Sequence, residues 1–282
     1  MMHQLIVTAD DYGMSRGVNQ AINEGIACGL ITSTNVMVNM PLYQESESLR
    51  QRENCSIGLH WTLTCGNPVL PPNQVKTLVD SEGRFYSYPE FRQRFRKHMI
   101  DEEDISKELK AQYELFHELI GTPDYWNTHQ NFHVDFGIYA MVVDLAVKLG
   151  IHRMRSHQRI YVPSSGDQEK ISLAWRMVEP VKARMLDTWQ NNAHKKGVKS
   201  PEGLIVNIGK QDIDHPEYLF SHIQWNKKKI GEYVIHPATV NDSPFFGKIV
   251  EQRIREYRMF TSSELYNIFQ QAEIELVGYD RI

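Results

Sequence analysis

The sequence predicts an α/β protein: one parallel sheet closed into a single barrel with helical crossovers. Three observations lead there. Short apolar runs alternate with longer helical patterns along the whole chain, seven or eight such units fit within 282 residues, and no Pro/Ser/Gly-rich linker divides them. Strand-then-helix repetition demands crossover connections and therefore parallel strands. So many units in one chain favour a closed barrel over an open doubly wound sheet, and the length suffices for one large core.

Each element has its own signal. Gln4–Ala9 reads as a buried strand. Ser15 caps a helix running to Cys28, with Gly29 suited to the left-handed position that ends it. Asn35–Asn39 is a second strand, Pro41 opens a helix ending near Arg52, and Ser56–Trp61 is a third strand. Turn signals at Pro71-Pro72 and Glu82-Gly83 mark a loop-rich stretch. Ser87-Tyr-Pro-Glu90 has the form of a capping box. Ile105, Leu109, Tyr113, Phe116 and Ile120 recur at helical spacing and Gly121 stops them. Tyr125–His129 is a fourth strand, followed by a helix over 136–149 that ends at Gly150. Weaker strands are expected at His152–Arg155, Leu204–Asn207, Glu232–His236 and Ile274–Gly278, and Thr261-Ser-Ser-Glu264 is a late capping box. Residues 156–202 have the least regular pattern and are expected to be an insertion into the single domain.

Composition narrows the function classes. Hydrophobic residues make up 41% and charged residues 23%, as in ordinary soluble proteins. A net charge of -4 with no basic stripe gives no footprint for nucleic acid. Lys195-Lys196 and Lys227-Lys228-Lys229 read as solvated helix ends or loops. Three cysteines without CxxC spacing argue against a disulfide framework or a thiolate zinc site. No apolar run reaches the roughly 18 residues of a membrane span, and the opening residues enter a strand pattern directly. A cytoplasmic protein without nucleic-acid or membrane partners is expected.

In a parallel barrel, chemistry gathers at the C-terminal strand ends. The first strand ends in Asp10-Asp11-Tyr12, the third in His60, the fourth in His129 with His133 four residues on, and a late strand in His236-Pro237. Each has an ordinary reading, as helix cap or core histidine. Their convergence on one rim does not. One carboxylate with two imidazoles is a common catalytic metal shell, and a second carboxylate beside it can act as a general base. Tyr12, Trp61, Phe132 and Phe136 lie near the same ends and could stack on a bound ring or simply pack there.

These residues also carry a resemblance. Ile6-Val-Thr-Ala-Asp-Asp-Tyr-Gly-Met-Ser15 resembles the NADDFGLS opening of YdjC-type carbohydrate deacetylases, and Ile31-Thr-Ser-Thr34 is similar to their next motif. Gly58-Leu-His-Trp-Thr-Leu-Thr64 is similar to GLHLTLT, Tyr125–His133 to HxDSHxHxH, and Val234-Ile-His-Pro-Ala238 to HPG/HPA. Arg253-Ile-Arg-Glu256 and Phe260-Thr-Ser resemble the closing motif. Carried over, the resemblance implies a distorted (β/α) barrel related to polysaccharide deacetylases, usually dimeric. It implies a divalent metal on Asp11, His60 and His129, magnesium in characterised members, although this donor set also accepts zinc, manganese or cobalt. It makes Asp10 the general base and His236 the general acid, with Tyr12, Trp61, His133 and Arg253 expected at the substrate. The implied reaction removes an N-acetyl group from a short chitooligosaccharide or its 6-phosphate. Asn127 and Thr128 stand where the family often has Asp and Ser, and Asn131 replaces a common His.

Three rivals make different demands. A glycoside hydrolase needs carboxylates on opposite strand ends, whereas these are adjacent. A metal phosphoesterase usually wants two metals and more carboxylates. A non-catalytic sugar- or metal-binding protein needs neither Asp10 nor His236.

Overall fold

The computed structural model describes residues 2–134, 137–163, 173–207 and 214–282. Its centre is an eight-stranded parallel sheet: β1 (His3–Tyr12), β2 (Ser33–Val36), β3 (Ser56–Trp61), β4 (Trp126–Thr128), β5 (Arg159–Val162), β6 (Gly203–Asn207), β7 (Ile230–Ile235) and β8 (Ile274–Leu276). The order is β4-β3-β2-β1-β7-β6-β5, with β8 also on β1. β8 pairs the start of β1 at His3–Leu5 and β2 pairs its end from Thr8. The path's two ends are joined by the residues leading into β5. Trp126 bridges Met154 on one side, and Arg153 bridges Lys199 on the other. The result is a distorted parallel barrel, as the strand–helix alternation predicts.

Around it pack α1 (Arg16–Ala27), α2 (Tyr88–Arg96), α3 (Glu102–Leu119), α4 (Tyr139–Lys148), α5 (Leu173–Lys195), α6 (Pro216–Ser221), α7 (Val250–Phe260) and α8 (Ser263–Gln271). Ser15 caps α1 by accepting from Val18 N, and Ser262 caps α8 by accepting from Glu264 N. Gly29, Gly121 and Gly150 take the positive φ that follows a helix end. Some local expectations fail. Ser87 makes no side-chain cap, Pro41 leads into a 3₁₀ helix over Tyr43–Gln51 rather than an α-helix, and the second strand begins two residues earlier than expected. The stretch 156–202, expected as an insertion, supplies β5, which pairs β6, and α5.

Strand alternation sorts the side chains into two sets. Leu5, Val7 and Ala9 of β1, Ile57, Leu59 and Trp61 of β3, and Trp126 of β4 join the apolar layer beneath the helices. Their neighbours face inward. Ile6 and Tyr125 meet Val277 and Tyr279, and the two tyrosine rings plug the lower barrel, stacked with centroids 3.7 Å apart. Gly58 leaves room for this plug, since a Cβ there would meet Tyr125 Cζ at 2.5 Å. Above it the inward set turns polar.

Candidate active site

Two adjacent acids on a regular strand would face opposite sides. Here the β1–β2 register breaks between Ala9 and Tyr12, and Asp11 takes φ 76. Aspartate tolerates this left-handed conformation better than most residues, and a bulge re-aims the side chains beyond it. Both carboxylates therefore sit inside the rim, 2% and 0% exposed.

Asp11 meets the two histidines. Its Oδ1 lies 3.1 Å from His129 Nδ1 and 3.4 Å from His60 Nε2, and one donor atom from each residue lies within 4.8 Å of the others. The imidazoles stand nearly perpendicular, centroids 5.5 Å apart. Oδ2 accepts from Arg253 Nη2 at 2.5 Å, and Arg253 Nη1 donates to the His236 carbonyl at 3.3 Å. Burial alone would raise the Asp11 pKa. Arg253 and the two histidines override it and hold the carboxyl well below its ordinary range. Burial disfavours a charged His129, yet its bond to Asp11 and its contact with the Cys65 thiol raise it to about 9.

Asp10 is held differently. Arg155 donates to it through both terminal nitrogens, at 2.8 Å and 2.6 Å, and Asn35 Nδ2 donates at 2.6 Å. Arg155 also donates to buried Glu232 at 3.2 Å. Burial again works towards a higher pKa, and Arg155 reverses it, keeping Asp10 ionised. His236 Nε2 lies 3.7 Å from Asp10 Oδ2, on a side chain 32% exposed. Burial pushes His236 down to about 4 against the opposing pull of Asp11 and Asp10. Its backbone N–H donates to Glu256 at 2.6 Å, and burial raises Glu256 to about 7.

The structure thus brings Asp10, Asp11, His60, His129 and His236 together. Trp61 and Tyr12, expected at the substrate, are both buried. Trp61 follows inward-facing His60, so alternation turns it out to α3, where its Nε1 donates to the Leu109 carbonyl and its ring is fully buried. Tyr12 is equally buried, with its hydroxyl on Asn23 and the Glu45 carbonyl. Phe132 is also buried, and Phe136 lies outside the described residues. His133 is 1% exposed, wedged between Thr128 and His157, with Nε2 to Nε2 at 2.7 Å. It faces no cleft. Arg253 touches Asp11 rather than open space. Left-handed Gln130 and Asn131 break the chain directly after His129, so His129 and His133 do not form a helical pair.

The open space is a cleft of about 770 Å³ beside His129, lined by Tyr43, Cys65, Arg84, Phe85 and Phe245 among others. Phe245 is 40% exposed. Sequence reading missed Arg155, Asn35 and Glu232. Each is a polar residue inside or ending a strand pattern, and that was the available signal. Missed too were Glu256's bond to His236, which joins two separated motifs, and Cys65's contact with His129.

A model of the YdjC-like protein family matches residues 4–271. A carbohydrate deacetylase of Clostridium beijerinckii is 34% identical over 99% of this chain and 100% of its own. A chitooligosaccharide deacetylase of Proteus mirabilis is 25% identical over 99% and 98%. A crystal structure from Enterococcus faecalis V583 superposes with TM-score 0.76 at 24% identity, over 100% of this chain and 99% of that one. With the matched family model spanning nearly the whole barrel, the chain belongs to the YdjC-like protein family.

Proposed function

We propose that this protein is a metal-dependent carbohydrate deacetylase acting on the N-acetyl group of a small amino sugar, a short chitooligosaccharide with or without a 6-phosphate. The observation that carries the reading is the convergence of Asp11, His60 and His129 with Asp10 and His236 beside them. Similarity to relatives named as carbohydrate deacetylases supports it.

The donor set fits a divalent cation. One carboxylate and two imidazoles offer an oxygen and two nitrogens within 4.8 Å, all buried, and the cleft opens beside His129. Asp11, His60 and His129 would hold the ion, with magnesium, zinc, manganese and cobalt as candidates. A bound cation supplies acidity to a water and polarises the acetyl carbonyl. Arg155 and Asn35 keep Asp10 ionised, so it is always able to accept a proton, at the expense of basicity. His236 is neutral at pH 7 and can donate only after it has received a proton. Its place near Asp10 Oδ2 allows the two to act in sequence, with the proton taken by Asp10 passing through His236 to the departing amine. Arg253 holds Asp11 by one oxygen and leaves the other towards the histidines. Phe245 and Tyr43 are the rings that can meet a sugar face.

The test is acetate release from N-acetylglucosamine and diacetylchitobiose, each with and without 6-phosphate, under added magnesium, manganese, cobalt or zinc. Asp11→Ala should lose bound metal and activity together. No acetate from any substrate under any metal, or full activity in Asp11→Ala, would remove the reading.

A further inference from the structure

We propose that the Asn127 side-chain amide holds His60 in the tautomer that opposes a cation, so that this chain binds its metal more weakly than a variant with an acceptor at position 127. The inference rests on the cation site proposed above.

Asn127 is fully buried, and four groups decide how its amide points. One end meets His60 Nδ1 at 2.5 Å. The other end meets Arg155 Nη2 at 2.7 Å, Asn35 Nδ2 at 2.8 Å and Arg155 Nη1 at 3.1 Å, all of them donors. An NH₂ at that end would face three donors, and its one acceptor would be Asp10 Oδ1 at 3.3 Å. An oxygen there accepts from Arg155 and Asn35, and the only opposing contact is the same 3.3 Å approach to Asp10. The network therefore sets the oxygen towards Arg155. The NH₂ is left to donate to His60, whose Nδ1 must then carry the lone pair. The His60 proton sits on Nε2, the nitrogen 3.4 Å from Asp11 Oδ1 and the one in reach of the metal position.

A cation on Nε2 needs the opposite tautomer. With the proton moved to Nδ1, His60 points N–H at the Asn127 NH₂. Turning the amide by 180° relieves that contact and sets the NH₂ against Arg155 and Asn35. Either way a buried donor faces a donor, which is costly where no water can intervene. A carboxylate at 127 has no such conflict, because both of its oxygens accept. Histidine ligands ordinarily donate their second N–H to an acceptor, and such partners shift metal affinity by about 10- to 100-fold.

The first experiment needs no metal. Nitrogen-15 NMR of His60 in the stripped full-length protein, at about pH 8.5, two units above an ordinary imidazole, should find Nε2 protonated and Nδ1 bare. A proton on Nδ1, in either charge state, overturns the proposal. The second is calorimetric titration with zinc alone. Asn127→Asp should tighten Kd by about 10- to 100-fold. Asn127→Ser adds no charge, but its hydroxyl can accept as well as donate, so it should also bind more tightly than wild type. Unchanged or weaker binding in Asn127→Ser would mean that only charge matters at 127 and would overturn the tautomer argument. If neither wild type nor variants bind zinc at Asp11, His60 and His129, the proposed cation site itself has failed, and the NMR result still decides the tautomer.

Discussion

Arg155→Met removes the cation that two buried acids share, and geometry sets the consequence. Arg155 is 4% exposed and donates twice to Asp10 and once to Glu232, which are 2% and 0% exposed. No other cationic side chain donates to Asp10 among the described residues. Breaking a buried pair by deleting one partner costs about 3–5 kcal/mol, a large share of a typical 5–15 kcal/mol. Unfolding entropy of about 2.1 cal/mol/K per residue makes about 0.6 kcal/mol/K for this length, so Tm should fall by about 5–8 °C at pH 7. The sign with pH is fixed by Asp10, whose folded pKa is depressed. Its paired stability is present above the ordinary carboxylate value of about 3.9 and lost as pH falls through the folded value. The gap between wild type and variant should therefore narrow below about pH 4 in a calorimetric series. Adding Glu232→Gln should recover part of the loss, since one unpaired acid remains instead of two. A Tm within about 1 °C of wild type at pH 7 would refute the reasoning.

Asp10→Asn should keep the metal, measured by elemental analysis, and lose about 100- to 10,000-fold in kcat; unchanged turnover would remove Asp10 as base. His236→Ala should also keep the metal, with a larger deficit on an amide than on an activated acetyl ester, whose leaving group needs no proton; equal deficits would reassign the general acid. Glu256 has a raised folded pKa, so its contribution is full below about 4.5 and lost as pH rises to about 7. Relative to Glu256→Gln, the metal-free wild type should lose on the order of 3 kcal/mol across that window in denaturant titrations; parallel pH curves would contradict it. Gly58→Ala drives a methyl into the Tyr125 ring and should cost about 1–3 kcal/mol, with altered near-ultraviolet circular dichroism from the Tyr125–Tyr279 stack.

The sequence by itself determined the parallel α/β architecture, because hydrophobic period and helix punctuation are local properties. Ser15 and the glycines at 29, 121 and 150 act within a few residues of themselves, and all four do what their type predicts. Ordered motifs at strand ends likewise sufficed to nominate Asp10, Asp11, His60, His129 and His236. Tertiary structure decided which way side chains face. Trp61 reads as an aromatic beside a ligand, yet the strand period sends it to the helices, while the left-handed Asp11 breaks that same period and brings both acids inside. It also decided which charges pair. Arg155 finds Asp10 across 145 residues and Arg253 finds Asp11 across 242, separations at which no local pattern exists to be read. β5 escaped notice because Arg159–Val162 is only four residues long, with alternate side chains half-buried, and its place in the sheet comes from pairing with β6 rather than from its own composition.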